Sequence, residues 1–144
     1  MNDEIQTRQA ISFLIKLITD RVETLFSLRA EIPVTAAQSR VLMYLEACGG
    51  GPVSQKELEQ YLNVTHTTAK GLLKRLEEKG FVRTAFDSRD GRVKNAYITD
   101  KSRQCRDELA EHISDITGQM VAGLDAQEQG QLFELLCRVY RNIK

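Results

Sequence analysis

The sequence predicts a mainly α-helical fold carrying one small β-hairpin, and three observations support that reading. Apolar residues recur at three- and four-residue steps over most of the chain, the period of a helix with one buried face. Three capping boxes mark helix starts: Thr35 with Gln38, Ser54 with Glu57, and Asp125 with Glu128. Only between Phe81 and Ile98 does the pattern change, to two short β-branched and aromatic runs, FVRTAF and VKNAYI. The Asp90-Gly91 pair between them suits a hairpin tip.

Taken in order, residues from about Glu4 to Ala30 read as one long helix with Ile5, Ile11, Leu14, Ile15, Leu17, Ile18, Val22, Leu25, Phe26 and Leu28 in its apolar rows. So wide a stripe has to find cover, in its own domain or in a second copy. Pro33 breaks this helix, and Thr35 opens the next, with Val41, Leu42, Tyr44 and Leu45. Gly49-Gly50-Gly51-Pro52 stops it as a loop or a short edge strand. No strand leads in and no Gly-Lys-Ser follows, so it is not a phosphate loop. Ser54 caps SQKELEQYL, whose Leu58, Tyr61 and Leu62 have the spacing of a buried face. After Asn63-Val64 a further helix, about Thr65 to Glu78, buries Ala69, Leu72, Leu73 and Leu76. Gly80 follows as a C-cap, with Lys79 at the negative helix end. Past the hairpin, Thr99 caps a helix to about Gly123 with Leu109, Ile113, Ile116, Met120 and Leu124. Asp125 opens the last one, with Leu132, Phe133, Leu135, Leu136, Val139, Tyr140 and Ile143.

At 144 residues with 42% hydrophobic and 28% charged residues, the chain is long enough to bury a core without staples. Its formal net charge is zero, but the charge is unevenly placed. From Ser54 to Arg103 eleven Lys and Arg face seven Asp and Glu, leaving +4 there and −4 in the remainder. Cys48, Cys105 and Cys137 are too few and too scattered for a disulfide framework or a zinc knuckle, and fit reduced thiols acting as small hydrophobes. The N-terminus lacks a signal-peptide pattern, and no apolar run approaches the roughly 20 residues of a bilayer span. These features predict a cytoplasmic protein without membrane contact. His66 and His112 stand apart from any ligand cluster, so no metal site or cofactor is expected; His112 reads as a helix-surface or interface residue. Nothing assembles a nucleophile, base and acid, and no enzyme activity is expected.

Two short helices followed by a hairpin with a basic tip suit major-groove reading by the second helix and flanking contact by the hairpin. Subtracting the buried row leaves Thr65, His66 and Thr67 at the entering end and Lys70, Gly71, Lys74 and Arg75 one to two turns later. Small polar groups can reach base edges there, and cations can reach phosphates or guanines. Thr68 lies between the two faces, where it either joins the reading surface or is partly buried. For this helix alone, a solvated charged face on a structural helix is an equally good reading. The hairpin weights the choice toward DNA: Arg89 and Arg92 project from its tip, Lys94 follows on the returning strand, and arginine suits a narrow minor groove. Asp90 between them would orient an arginine.

The run QKELEQYLNVTHTTAKGLLKRLEEKGFVRTAFDSRDGRVKNAYIT resembles the MarR family of bacterial regulators. The nearest matches are Arg75 to Val82, then Asp90 and Arg92, then Ile98 and Thr99. Ser102 departs from the glycine common in the family at that point, in a position that reads as structural. The resemblance implies a winged helix-turn-helix flanked by dimerisation helices, with residues 1–32 and 103–144 dimerising and 33–102 binding DNA. It also implies a homodimer that represses transcription from a palindromic operator, and a small aromatic or phenolic effector that releases it. The competing reading, from another class, is a winged-helix protein-interaction module that does not bind DNA.

Overall fold

The computed structural model describes residues 2–28 and 31–144. Among these residues the order is α1 (Asn2–Ser27), α2 (Ala36–Ala47), β1 (Val53–Ser54), α3 (Gln55–Leu62), α4 (His66–Glu78), β2 (Val82–Phe86), β3 (Lys94–Ile98), α5 (Asp100–Met120) and α6 (Ala126–Ile143). The expected fold class holds: mainly helical, with a small antiparallel wing. The first helix was expected to reach Ala30; it ends at Ser27, and Ala30 lies outside the described residues.

All three capping boxes form. Thr35, Ser54 and Asp125 each accept the N3 amide while the N3 side chain of Gln38, Glu57 or Glu128 accepts the cap residue's own amide. Thr99 does the same half-task for α5, its hydroxyl accepting the Ser102 amide at 3.3 Å. Ser102 is buried there, in keeping with a structural position. At the end of α4 the cap is Lys79, and Gly80 follows in the left-handed region. The cation serving that helix end is Lys101, whose Nζ donates to the Lys79 carbonyl at 2.6 Å and lies over the Phe81 ring. Lys79 instead reaches the Pro33 carbonyl at 2.6 Å and the buried Gln38 amide oxygen at 2.8 Å. It thereby ties the end of α4 to the start of α2.

Backbone contacts group the chain into two compact units, one running to Ala110 and the other Glu111–Lys144. In the first, α4 packs on α2, α3 and β2, and α2 also meets β3. The core is Val41, Leu42 and Leu45 of α2, Leu58 of α3, Ala69, Leu72, Leu73 and Leu76 of α4, and Val53, Phe81, Val82, Ala96 and Ile98 around the sheet. Each of its Val, Leu, Ile and Phe side chains contributes about 1.5–3 kcal/mol on burial. Tyr61 departs from expectation. It is 58% exposed, stacked on Tyr44 with ring centroids 4.2 Å apart.

The wing has three strands, in the order β1-β3-β2, where the sequence reading had two. The extra strand pairs Val53 with Ala96 and Ser54 with Asn95. It follows the triple glycine, and of the two alternatives for Gly49-Gly50-Gly51-Pro52 the loop is the observed one, the strand starting only at Val53. Ser54 belongs at once to this strand and to the cap of α3. The approach of chain to chain here is close. The Ile98 amide donates to the Gly50 carbonyl at 3.0 Å, and a Cβ on Gly51 would lie 2.5 Å from the Ala96 carbonyl oxygen.

In α1, Ile5, Ile11, Leu14, Ile15, Leu17 and Ile18 are exposed, and burial is reached only at Phe26. In the second unit Ile116 is buried, while Leu132, Phe133, Leu135, Leu136, Val139, Tyr140 and Ile143 along α6 are exposed. His112, expected on a helix surface or at an interface, is 3% exposed within this chain.

Gly51 and Gly49 offer a paired test. Both have positive φ, +106° and +76°, but nothing lies within 4 Å of a Cβ on Gly49. Gly49→Ala should cost about 1–2 kcal/mol, the left-handed penalty alone. Gly51→Ala should cost more and lower the thermal midpoint further, because backbone rather than a movable side chain blocks it. Equal losses in thermal denaturation would show that the β1–β3 approach is not tight.

Candidate nucleic-acid interface

The turn between α3 and α4 is made by Asn63, the one described non-glycine residue with positive φ, at +52°. Asparagine tolerates this conformation better than most residues. The Val64 amide then donates to the Glu59 carbonyl at 3.1 Å, closing α3 before the chain enters α4.

Thr65 is the N-cap of α4. Its hydroxyl oxygen accepts the Thr68 amide at 3.2 Å, and the two hydroxyls lie 3.0 Å apart. Both side chains are thus partly committed to ending the helix. Thr68 is exposed, so the partly buried alternative does not hold. Thr67, Lys70, Lys74 and Arg75 are exposed on the side opposite the buried row. Gly71 has open space around its missing Cβ, which places a bare stretch of backbone on this surface. His66 is engaged across the turn: its Nδ1 lies 2.6 Å from Glu59 Oε1 and 3.0 Å from Gln55 Nε2.

The wing tip is organised by a residue the sequence reading did not single out. One oxygen of the Asp87 carboxylate accepts the Arg89 and Asp90 amides at 2.8 and 3.1 Å, and the other accepts Asn95 Nδ2 at 3.0 Å. The Arg89 amide, then the Asn95 side chain and the Asp90 amide, hold the Asp87 carboxyl below the ordinary aspartate range. Asp90 repeats the motif on a smaller scale, accepting the Arg92 amide at 3.0 Å and its Nε at 3.2 Å. It orients Arg92 as expected. Spaced Asp residues bonding amides two and three positions ahead are the legible signal of such a turn. Glu59 and Gln55 were also missed, because a seven- or eleven-residue separation across a turn leaves no periodic mark.

Together α3, the first turn of α4 and the root of the wing border an open groove of about 350 Å³. It is lined by Ser54, Gln55, Lys56, Glu59, His66, Arg92, Val93 and Lys94. Among the described residues, no group of three or more His, Cys, Asp or Glu could hold a metal ion. No described helix is long and apolar enough to cross a membrane. The three cysteines are free thiols; Cys48 is exposed, contrary to a small-hydrophobe role, while Cys105 and Cys137 are half-buried.

Charge placement is more selective than the sum of the sequence. Arg83 lies over the Tyr97 ring at 4.1 Å and Arg103 pairs with Asp100 at 3.0 Å. With Lys79 and Lys101 bound to backbone, three of the eleven central cations make contacts within the fold, while Arg103 and Arg92 make exposed ion pairs with Asp100 and Asp90. Seven of the remainder, Lys56, Lys70, Lys74, Arg75, Arg89, Arg92 and Lys94, lie on α3, α4 and the wing.

Because the Asp87 value is lowered in the fold, its contribution is present at neutral pH and is lost as pH falls through that lowered value. NMR of the Arg89 and Asp90 amides should therefore show both released in acid, at a pH below the ordinary aspartate titration. In Asp87→Ala they should be released at every pH. Amides indifferent to the substitution would show that the carboxylate does not order the tip.

Comparison with known proteins follows the same architecture. A sequence model of the MarR family matches residues 32–93. The uncharacterized HTH-type transcriptional regulator YwaE of Bacillus subtilis is 30% identical over 93 residues, covering 65% of this chain; the match spans only 54% of that relative. The crystal structure of a probable transcriptional regulator from Pseudomonas aeruginosa is 28% identical, with a TM-score of 0.79, covering 90% of this chain and 96% of that one. A MarR variant from E. coli, crystallised with operator DNA, has the same fold at 23% identity, with a TM-score of 0.79 and coverage of 90% and 93%. With a helix-turn-helix at residues 55–78, a three-stranded wing and helices on either side, this chain has the winged-helix fold of these regulators, and its residues 32–93 are similar to the MarR family.

Proposed function

We propose that the protein is a sequence-specific, DNA-binding transcriptional regulator that acts in the cytoplasm as a homodimer and represses from a palindromic operator. The observation that carries this reading is the division of labour among the central cations. Three bind backbone carbonyls or a ring of the fold, and seven are presented on α3, α4 and the wing. Such a distribution serves a polyanion better than it serves stability, since exposed ion pairs contribute little to folding.

In this reading α4 lies in the major groove. Thr65, His66, Thr67 and Thr68 stand at its entering end, and Lys70, Lys74 and Arg75 are within reach of phosphates or guanine edges. Arg89, Arg92 and Lys94 carry the wing to the flanking minor groove or backbone. The capping role of Thr65 makes it a contact through its backbone as much as through its hydroxyl. The E. coli relative was crystallised with operator DNA, which supports the assignment of this fold to duplex binding.

The homodimer is supported by unpartnered apolar rows, Ile11, Leu14 and Ile18 on α1 and, separately, Leu132, Leu135, Leu136 and Val139 on α6. Surfaces of this kind mark association. Residues 1–32 and 103–144 would supply that contact and 33–102 the DNA module. A small aromatic or phenolic effector completes the proposal on the strength of the family resemblance.

Selection of bound duplexes from a random pool should enrich a palindrome with half-sites about one helical turn apart. Affinity for it should fall steeply with salt as counterions are released. Absent or salt-independent binding would instead favour a protein-interaction module. Arg92→Ala should weaken operator binding with the dimer intact, and Lys74→Ala should weaken binding to all duplexes, each by roughly 1 kcal/mol or more. Unchanged affinities would leave wing and helix idle. Leu136→Glu should shift the dimer toward monomer in sedimentation equilibrium.

A further inference from the structure

A polar cluster joins α3 to the first turn of α4. His66 is on the surface, its side chain 73% exposed, yet its ring is not free to turn. Glu59, only 20% exposed at its side chain, holds Nδ1 at 2.6 Å. Gln55, buried to 8% exposure, places its amide nitrogen 3.0 Å from Nδ1 and 3.5 Å from Nε2, and donates to the same Glu59 oxygen at 3.3 Å. Nδ1 cannot both donate to Glu59 and accept from the Gln55 amide; the shorter contact, at 2.6 Å to a carboxylate that can only accept, assigns the proton to Nδ1, and Gln55 then donates to Glu59 rather than to the ring. Gln55, bonded to that carboxylate, keeps the acceptor in place.

We propose that Glu59, backed by Gln55, is a positioning residue that locks His66 in the Nδ1–H form, so that Nε2 reads one base edge in a pH-dependent way. This rests on the DNA-binding reading above. With the tautomer fixed, Nε2 of the neutral ring is an acceptor and pairs with an amino group in the major groove, adenine N6 or cytosine N4. When the ring takes up a proton, Nε2 becomes a donor and pairs with guanine N7 or O6. Histidine side chains in general make this exchange in the physiological range. The charged groups that line the groove with His66 are Glu59 and Lys56 from α3 and Arg92 and Lys94 from the wing root, and Lys70 follows one turn along α4. The cations supply attraction to phosphate, and His66 supplies the part that changes.

The test is duplex selection with the full-length protein at about pH 5.5 and about pH 8, followed by titration of the enriched duplex and its single-base variants. At one position per half-site the preferred base should change from guanine in acid to adenine or cytosine in base, with discrimination of about tenfold in each case. His66→Gln, which can donate and accept at any pH, should abolish the change while still binding. Glu59→Ala should cut discrimination at that position severalfold, and Glu59→Gln should restore it because the amide oxygen accepts the Nδ1 proton. In a His66→Ala background Glu59→Ala should have no further effect. The same preferred base at both pH values, or a change that survives His66→Gln, would overturn the proposal. So would an equal loss from Glu59→Ala with and without His66, which would make Glu59 merely structural. A pool from which no sequence is enriched at either pH would instead remove the DNA reading itself.

Discussion

The inner row of α4 determines where every outward residue of that helix points. Ala69, Leu72, Leu73 and Leu76 are all buried, and the helix they belong to packs on α2, α3 and β2. A rotation of α4 by one residue would expose leucines and bury lysines, each at a cost of kilocalories. The rotational setting of the helix is therefore fixed by its apolar side. Lys70, Lys74 and the first-turn hydroxyls inherit their directions from residues that never meet a ligand.

That dependence explains how much of the interface was legible from sequence. The i, i+3, i+4, i+7 spacing of the buried row defines its complement by subtraction, and the capping boxes place the helix ends to within a residue. Features made by contacts between elements were not legible. The strand Val53–Ser54 is two residues long and exists only because β3 lies beside it. Tyr61 has the spacing of a core residue, but Tyr44 offers it a stacking partner near the surface instead. Thr68 is drawn to the cap by Thr65, and His66 to Glu59 across the turn. His112 looks like a surface residue in any local window and is buried all the same.

Counting charges along the sequence overstated the basic surface for a related reason. Lysine and arginine carry long apolar stems as well as charge, and this fold uses both properties. Lys79 and Lys101 satisfy backbone carbonyls at a helix end and a loop, and Arg83 covers a tyrosine ring. A sum of +4 hides which cations are already engaged. Only the structure separates the seven on α3, α4 and the wing from Lys79, Lys101 and Arg83, which contact the fold.

Ser54 has one more consequence. As a strand residue it is paired with Asn95, and as a helix cap it holds the amide of Glu57. No flexible residue intervenes between sheet and helix, so the wing and α3 behave as two arms of one caliper joined without a hinge. The gap between the arms is set by covalent geometry and the pairing of β1 with β3. A lineage descending from this chain can change its target most readily by exchanging the side chains on the arms, because opening or closing the caliper would mean dismantling the joint.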